Sequence, residues 1–186
     1  MKLRNPTRLL VAASALASVF SLTSCQKADN ASGGNDGDTV KIGFITDMSG
    51  VYADVDGPAG AEAIKMAIAD FGDKVNGKKI EFVSADHQNK ADIAASKARE
   101  WFDQQGVDLL IGGTNSATSL AMAKVAAEKK KPFIAVGAGT SRLTNEECTP
   151  FTIHYAYDTA AVARGTSGAL VQHCLLYTSP SPRDGL

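Results

Sequence analysis

Val107-Asp-Leu-Leu-Ile-Gly-Gly-Thr-Asn-Ser-Ala-Thr-Ser119 joins an apolar run, a double glycine and the hydroxyl-rich start of an Ala-rich segment. Val107 to Ile111 has the composition of a strand buried on both faces of a parallel sheet. Gly112 and Gly113 carry no Cβ, so the chain can turn sharply there and a ligand can approach the backbone. Asn115 or Ser116 can cap the helix that follows, whose first-turn N–H groups lack intrahelical partners. A strand end, a glycine turn and a hydroxyl-flanked helix start together make a receptor for a small anion such as a carboxylate. An ordinary, well-capped βα turn accounts for the same residues equally well. The flanking sequence has to separate the two.

Upstream, Val40-Lys-Ile-Gly-Phe-Ile-Thr46 reads as a first strand, and residues 47–57 form a loop at its C-terminal end. Pro58 suits the first position of a helix in which Ala61, Ile64, Ile68 and Phe71 recur at helical spacing, with Gly72 near the stop. Lys79 to Ala85 is a second strand and Asp86-His-Gln-Asn89 a loop, with Asn89 and Asp92 spaced as a variant capping box. The next helix carries Ile93, Ala94, Ala98, Trp101 and Phe102 on one face and ends at Gly106. Downstream of the opening stretch, its helix runs to Lys129-Lys-Lys131, cations at the negative end, and Pro132 stops it. Phe133 to Val136 is a fourth strand, Gly137 to Ser141 leaves it, and Arg142 to Thr149 is loop. Phe151 to Ala156 is a fifth strand, and Asp158 caps a helix reaching about Gln172.

Strands alternating with helices and no hairpin signal predict an α/β fold, a parallel sheet with helices on both faces. In such sheets ligands bind beyond the carboxyl ends of the strands. The loops there are 47–57, 86–89, 112–116 and 137–142, which hold most of the unusual polar and glycine residues.

The 186 residues are 44% hydrophobic but only 6% aromatic, enough for a real core that is lean in large rings. The formal net charge is −1; setting aside Lys2, Arg4, Arg8, Arg183 and Asp184 leaves 15 basic and 19 acidic residues over 25–173, a net of −4. No basic patch results, which argues against a nucleic-acid partner. Lys2, Arg4 and Arg8 precede the apolar run Leu9 to Val19, too brief and too rich in Ser and Ala for a transmembrane helix, so residues 1–24 read as an export signal peptide. Residues 25–38 are small, polar and glycine-rich, a flexible tether. At the other end, Cys174 to Asp184 breaks the preceding pattern and back-translates to a sequencing adapter read in frame. Residues 174–186 are therefore expected to be an artefactual, disordered tail on a gene cut short near His173; a Ser/Pro-rich natural tail is the alternative. Cys148 is then left either to pair with a cysteine outside this sequence or to stay buried and free.

The catalytic alternatives are weak. Gly137-Ala-Gly139 has Arg142 where a dinucleotide fingerprint needs its third glycine, and no phosphate-loop Gly-Lys-Ser/Thr occurs. Asp86 and His87 are adjacent in a loop with no third ligand at a recognisable spacing, so a solvated loop is expected rather than a metal site. His154 reads as a satisfied core or cleft histidine, and Tyr155, Tyr157 and Asp158 leave a strand where the chain would cross to another lobe. No catalytic residue, cofactor or metal is expected.

Lys41-Ile-Gly-Phe-Ile-Thr-Asp-Met-Ser-Gly50, Leu110-Ile-Gly-Gly-Thr-Asn-Ser116 and Lys131-Pro-Phe-Ile-Ala-Val-Gly-Ala-Gly-Thr140 resemble the type I periplasmic solute-binding proteins, in particular the leucine/isoleucine/valine-binding group. The likeness spans about Thr39 to Gln172. It implies two Rossmann-like lobes that close on a solute and deliver it to the permease and ATPase subunits of an ABC importer. On that basis residues 39–157 form the N-terminal ligand-binding lobe and 158–173 the start of a second, largely missing lobe. The solute would be an amino acid, branched-chain or other, or an amide- or urea-like compound. Its contacts map onto Ser116 with Asn115, onto Ala138 and Thr140, and onto Tyr52 or Asp54. Leu22-Thr-Ser-Cys25 resembles a lipobox, implying lipidation of Cys25 and a membrane anchor. A sensor module with the same lobes, or less favourably a nucleotide-dependent enzyme, are the competing functions.

Overall fold

The computed structural model describes residues 37–173. The expected signal peptide, Cys25, most of the expected tether and residues 174–186 lie outside the described residues.

Strand β1 (Thr39–Thr46) is the centre of the sheet. Around it the chain adds α1 (Ala53–Asp56), α2 (Pro58–Phe71), β2 (Lys74–Val75), β3 (Lys78–Asp86), α3 (Ala91–Gln104), β4 (Leu109–Gly112) and α4 (Ser116–Lys129). It continues with β5 (Phe133–Ala135), a 3₁₀ turn at Ser141–Leu143, β6 (Thr152–His154) and α5 (Thr159–His173). The sheet order is β2-β3-β1-β4-β5-β6. All pairs are parallel except β2 with β3. From β1 the chain crosses first to β3 on one side, then back to β4 and β5 on the other. Right-handed crossovers therefore put α2 on one face and α3 with α4 on the other. Alternate residues of β1 record this. A Cβ on Gly43 would lie 2.6 Å from the Trp101 ring of α3, whereas the Phe44 ring reaches Gly60 of α2. The reversal of direction falls between β1 and β4, the place where open α/β sheets bind ligands.

The main core lies on the α3/α4 face: Ile45, Ala94, Ala98, Trp101, Val107, Leu110, Met122, Val125 and Phe133 form one buried cluster. The expected stripe of α3 holds, and small residues let α3 and α4 pack closely on each other and on the sheet. On α2 the stripe is shorter than expected. Ala61 is buried and Ile64 and Ile68 are half-buried, but Phe71, in the last turn, is 68% exposed.

Four other expectations need correction. A hairpin is present: β2 and β3 pair antiparallel across Asn76-Gly77, whose positive φ values of 50° and 80° match a two-residue hairpin turn. Asn89 does not cap α3; the N-cap is Lys90, without a side-chain bond, because Asn89 is held in a left-handed conformation one residue earlier. The 142–149 segment is not loop throughout, since it begins in the 3₁₀ turn whose Leu143 is buried in the core. Cys148 is free among the described residues and exposed rather than buried. Elsewhere the expected stops appear as drawn: Pro58 opens α2, Gly72 closes it at φ 96°, and the Asp158 carboxylate accepts from Ala161 N at the start of α5.

The contact between Gly43 and Trp101 sets a test. Gly43→Ala forces a methyl into the indole and is expected to lower unfolding free energy by about 1–3 kcal/mol, read as a lower urea midpoint with unchanged slope.

Candidate ligand-binding site

The carboxyl edge of the sheet is knitted together by buried or half-buried aspartates. Asp47, fully buried at the end of β1, accepts hydrogen bonds from Gly50 N (2.8 Å) and Tyr52 N (3.0 Å). A Cβ on Gly50 would sit 2.6 Å from that carboxylate, so the tight loop requires glycine there. Asp56, the last residue of α1, accepts from Thr46 Oγ1 (2.8 Å), from Thr114 Oγ1 (2.8 Å) and from Thr114 N. The first loop is thereby fastened to the turn after β4.

That turn departs from expectation in one respect. The space beside the two glycines belongs to the protein, not to a ligand. A Cβ on Gly112 would meet the Phe133 ring at 2.7 Å and Met122 Cε at 2.8 Å, and one on Gly113 would collide with Thr46 and Asp56. The glycines are there for packing. The capping expectation resolves onto Asn115, whose Oδ1 accepts from Ala117 N (2.7 Å) and Thr118 N (3.1 Å). Asn115 holds φ at 134°, a conformation rare for a residue with a side chain. Ser116, the first residue of α4, is half-buried, and neither its hydroxyl nor its amide has a partner among the described residues. An unpaired N–H and hydroxyl at a 14-residue helix start are suited to an anion.

The turn after β5 lies alongside. Val136 N donates to Gly112 O (3.0 Å), and Gly137 packs so tightly on Thr114 that a Cβ would come within 2.6 Å of its hydroxyl. Thr140 is half-buried and its hydroxyl accepts from Arg142 N (3.3 Å), capping the 3₁₀ turn. The side chain of Ala138 is fully buried, and its carbonyl already faces His154 Nε2 at 2.5 Å. Only backbone atoms of Ala138 can therefore meet a solute, and His154 is a satisfied histidine. Tyr52 is half-buried at the N-cap of α1, while Asp54 is exposed and without a partner among the described residues. The structure thus joins the turns after β4 and β5 through Gly112 with Val136 and Thr114 with Gly137, and pins the α1 loop to Thr114.

Sequence reasoning missed Asp47, Asp56 and the hook after β3. His87 is fully buried, not part of a solvated loop. Its Nδ1 accepts from Asn89 N (3.0 Å), so the neutral ring carries its proton on Nε2, which is buried without a partner. Burial holds its pKa below the ordinary histidine value, against the pull of Asp47, Asp86 and Asp56. Asp86 is the reverse case. Its partial burial opposes ionisation, but bonds from Ser49 Oγ, Gln88 N and Met48 N, with the nearby His87, hold its pKa below the usual carboxylate value. Asp47, Asp86 and His87 each place an atom within 4.8 Å of the others. Those carboxylates already accept N–H and O–H donors, which accounts for the cluster as a loop-shaping device.

The chain matches the periplasmic binding protein family over residues 39–174 and belongs to it. Among solved structures it is similar to a periplasmic binding protein from Burkholderia mallei: 72% identity over 73% of this chain and 36% of that one, TM-score 0.71. A branched-chain amino acid ABC transporter periplasmic ligand-binding protein from Burkholderia xenovorans shares 37% identity over 72% of this chain and 36% of its own, TM-score 0.67. A solute-binding protein of an ABC transporter from Rhodopseudomonas palustris, in complex with 3,4-dihydroxybenzoic acid, shares 32% over 65% and 32%, TM-score 0.59. The chain spans about a third of the length of these structures. No curated protein matches it. The fold is thus one lobe of a type I periplasmic binding protein, as the resemblance carried by Lys41–Gly50, Leu110–Ser116 and Lys131–Thr140 implied.

The bridge through Asp56 gives the test here. Asp56→Ala removes an ionised acceptor from three donors and is expected to cost about 1.5–3 kcal/mol of stability. Asp54→Ala, two residues away and exposed, should change it by less than about 0.5 kcal/mol, both read from urea unfolding.

Proposed function

We propose that this chain supplies the N-terminal lobe of an extracytoplasmic solute-binding lipoprotein of an ABC uptake system, and that it grips the carboxylate of a small solute at the start of α4. The observation that carries this is the unpaired amide and hydroxyl of Ser116 at the switch point of the sheet, beside the Ala138–Thr140 turn. Charge-assisted bonds from such donors strengthen as lobe closure excludes water. Closure itself follows from the solute's preference for the closed state. The family supports a solute-binding role, and the exposed apolar residues of α5, Val162, Leu170 and Val171, suit a helix whose packing partner lies in a second lobe.

The relatives' solutes narrow the class. Branched-chain amino acids and dihydroxybenzoic acid differ in shape and in having an ammonium group, but share a carboxylate. Ser116 with Asn115 would hold that group, Thr140 and the Ala138 backbone would take the adjoining polar atoms, and Tyr52 with Asp54 would line the mouth. An ammonium would have to share the Ala138 carbonyl with His154, whereas an aromatic acid makes no such demand. Permease and ATPase subunits are the protein partners, a lipid on Cys25 is the anchor, and the role is binding without turnover.

Titration calorimetry of the full-length protein with leucine, isoleucine, benzoate, 3,4-dihydroxybenzoate, urea and acetamide is the test. Saturable binding of a carboxylate, weakened about tenfold by Ser116→Ala, is the expected result. Binding of urea or acetamide alone, or of none of the six, would contradict it.

A further inference from the structure

The hook after β3 reaches the solute-binding turn through a chain of hydrogen bonds. Gln88 and Asn89 are consecutive non-glycine residues with φ of 51° and 57°. Such residues avoid this region unless their surroundings hold them there. Here Asp86 Oδ1 accepts from Gln88 N (2.7 Å), His87 Nδ1 from Asn89 N (3.0 Å) and His87 O from Lys90 N (2.8 Å). The histidine is itself anchored by its own amide, which donates to Thr46 O (2.9 Å). The hook delivers Asn89 Oδ1 to the side-chain amide of Asn115, where it accepts from Nδ2. An asparagine amide has one donor end and one acceptor end. With Nδ2 committed to Asn89, Oδ1 must face the other way, toward Ala117 N and Thr118 N, which is the orientation that caps α4. The Asn115 backbone carbonyl completes the arrangement by accepting from Thr118 Oγ1 (3.0 Å) and Ser119 N (3.1 Å).

We propose that His87 and Asn89 are positioning residues for the carboxylate receptor. His87 Nδ1 holds Asn89 in place, Asn89 selects the orientation of the Asn115 amide, and Asn115 sets the direction of the first N–H groups of α4, Ser116 included. This rests on the function proposed above, since it assigns a control to that same turn. Neither His87 nor Asn89 needs to touch the solute. The link also has a chemical condition, because Nδ1 must be an acceptor. A protonated ring would turn a second N–H toward Asn89 N–H and break the link. The charged groups facing the ring, Asp47, Asp86 and Asp56, favour that proton, and burial opposes it. With the folded-state pKa held below the ordinary histidine value, the link is complete above that ordinary value and is lost as pH falls through the folded one.

Hydrogen exchange of the full-length protein, followed by mass spectrometry without any solute, tests this. His87→Leu removes the acceptor. Asn89→Gly tolerates the left-handed backbone but removes the side chain. His87→Asn keeps an acceptor close to the Nδ1 position and does not titrate. Both His87→Leu and Asn89→Gly are expected to speed exchange across residues 115–119 by about five- to tenfold, the effect of a lost helix cap. Residues 94–104 of α3 should be unchanged, and His87→Asn should behave as wild type. Lowering the pH from above the ordinary histidine value through the lowered folded one should loosen 115–119 in the wild type beyond the intrinsic rate change, and not in His87→Asn. Unchanged exchange at 115–119 in Asn89→Gly would overturn the proposal. So would a His87→Leu effect spread equally over α3, which is what a merely space-filling histidine predicts. Because no solute is present, either result leaves the solute-binding proposal to its own titration.

Discussion

Asp56 accepts three hydrogen bonds, from the hydroxyl of Thr46 and from the hydroxyl and amide of Thr114, and the carboxyl edge of this lobe depends on them. Thr46 ends the central strand and Thr114 lies in the turn that opens α4, so one carboxylate joins the first loop to the helix start across the switch point. A half-buried anion in this position is stable only because its acceptor sites are filled. The same constraint explains Gly113, where any side chain would occupy the space Thr46 and Asp56 need. Close packing at this edge thus serves a polar network, and the network in turn fixes where α4 begins.

Three such devices lie side by side. Asp47 folds the loop after β1, Asp86 and His87 shape the hook after β3, and Asp56 ties the first loop to the turn after β4. Each uses a short acid or imidazole to satisfy backbone N–H groups that a tight loop leaves without strand or helix partners. Each leaves Ser116 alone. Among the described residues the amide and hydroxyl of Ser116 stay unpaired beside these devices, as donors on a preformed scaffold.

Much of the architecture was legible in the sequence. Period and punctuation located the central strands and the major helices, with Pro58, Gly72 and Pro132 marking where helices start and stop. The Asn76-Gly77 turn is also written in the chain, but the flanking Lys74-Val75 is too short and polar to register as a strand. The site was less legible for a physical reason. Asp56 and Thr114 are 58 residues apart, and Asn89 and Asn115 are 26 apart. A network that exists only through the fold leaves no local pattern. His87 shows the same limit: beside Asp86 and Gln88 it has the composition of a solvated loop, yet the strand register places it under the edge, fully buried. Gly112 and Gly113 stand out in the sequence, but sequence alone does not say whether protein or ligand fills the room they leave.

The lobe therefore presents a hydrogen-bonded rim around one helix start, in a chain that belongs to the periplasmic binding protein family. A crystal structure of the full-length protein with its carboxylate-bearing solute bound tests the central claim most directly. The account predicts a carboxylate oxygen within hydrogen-bond reach of Ser116 N or Oγ, about 2.7–3.1 Å, with the Asp56 bridge intact. A solute whose acid group is held elsewhere, with Ser116 still unpaired, would contradict it.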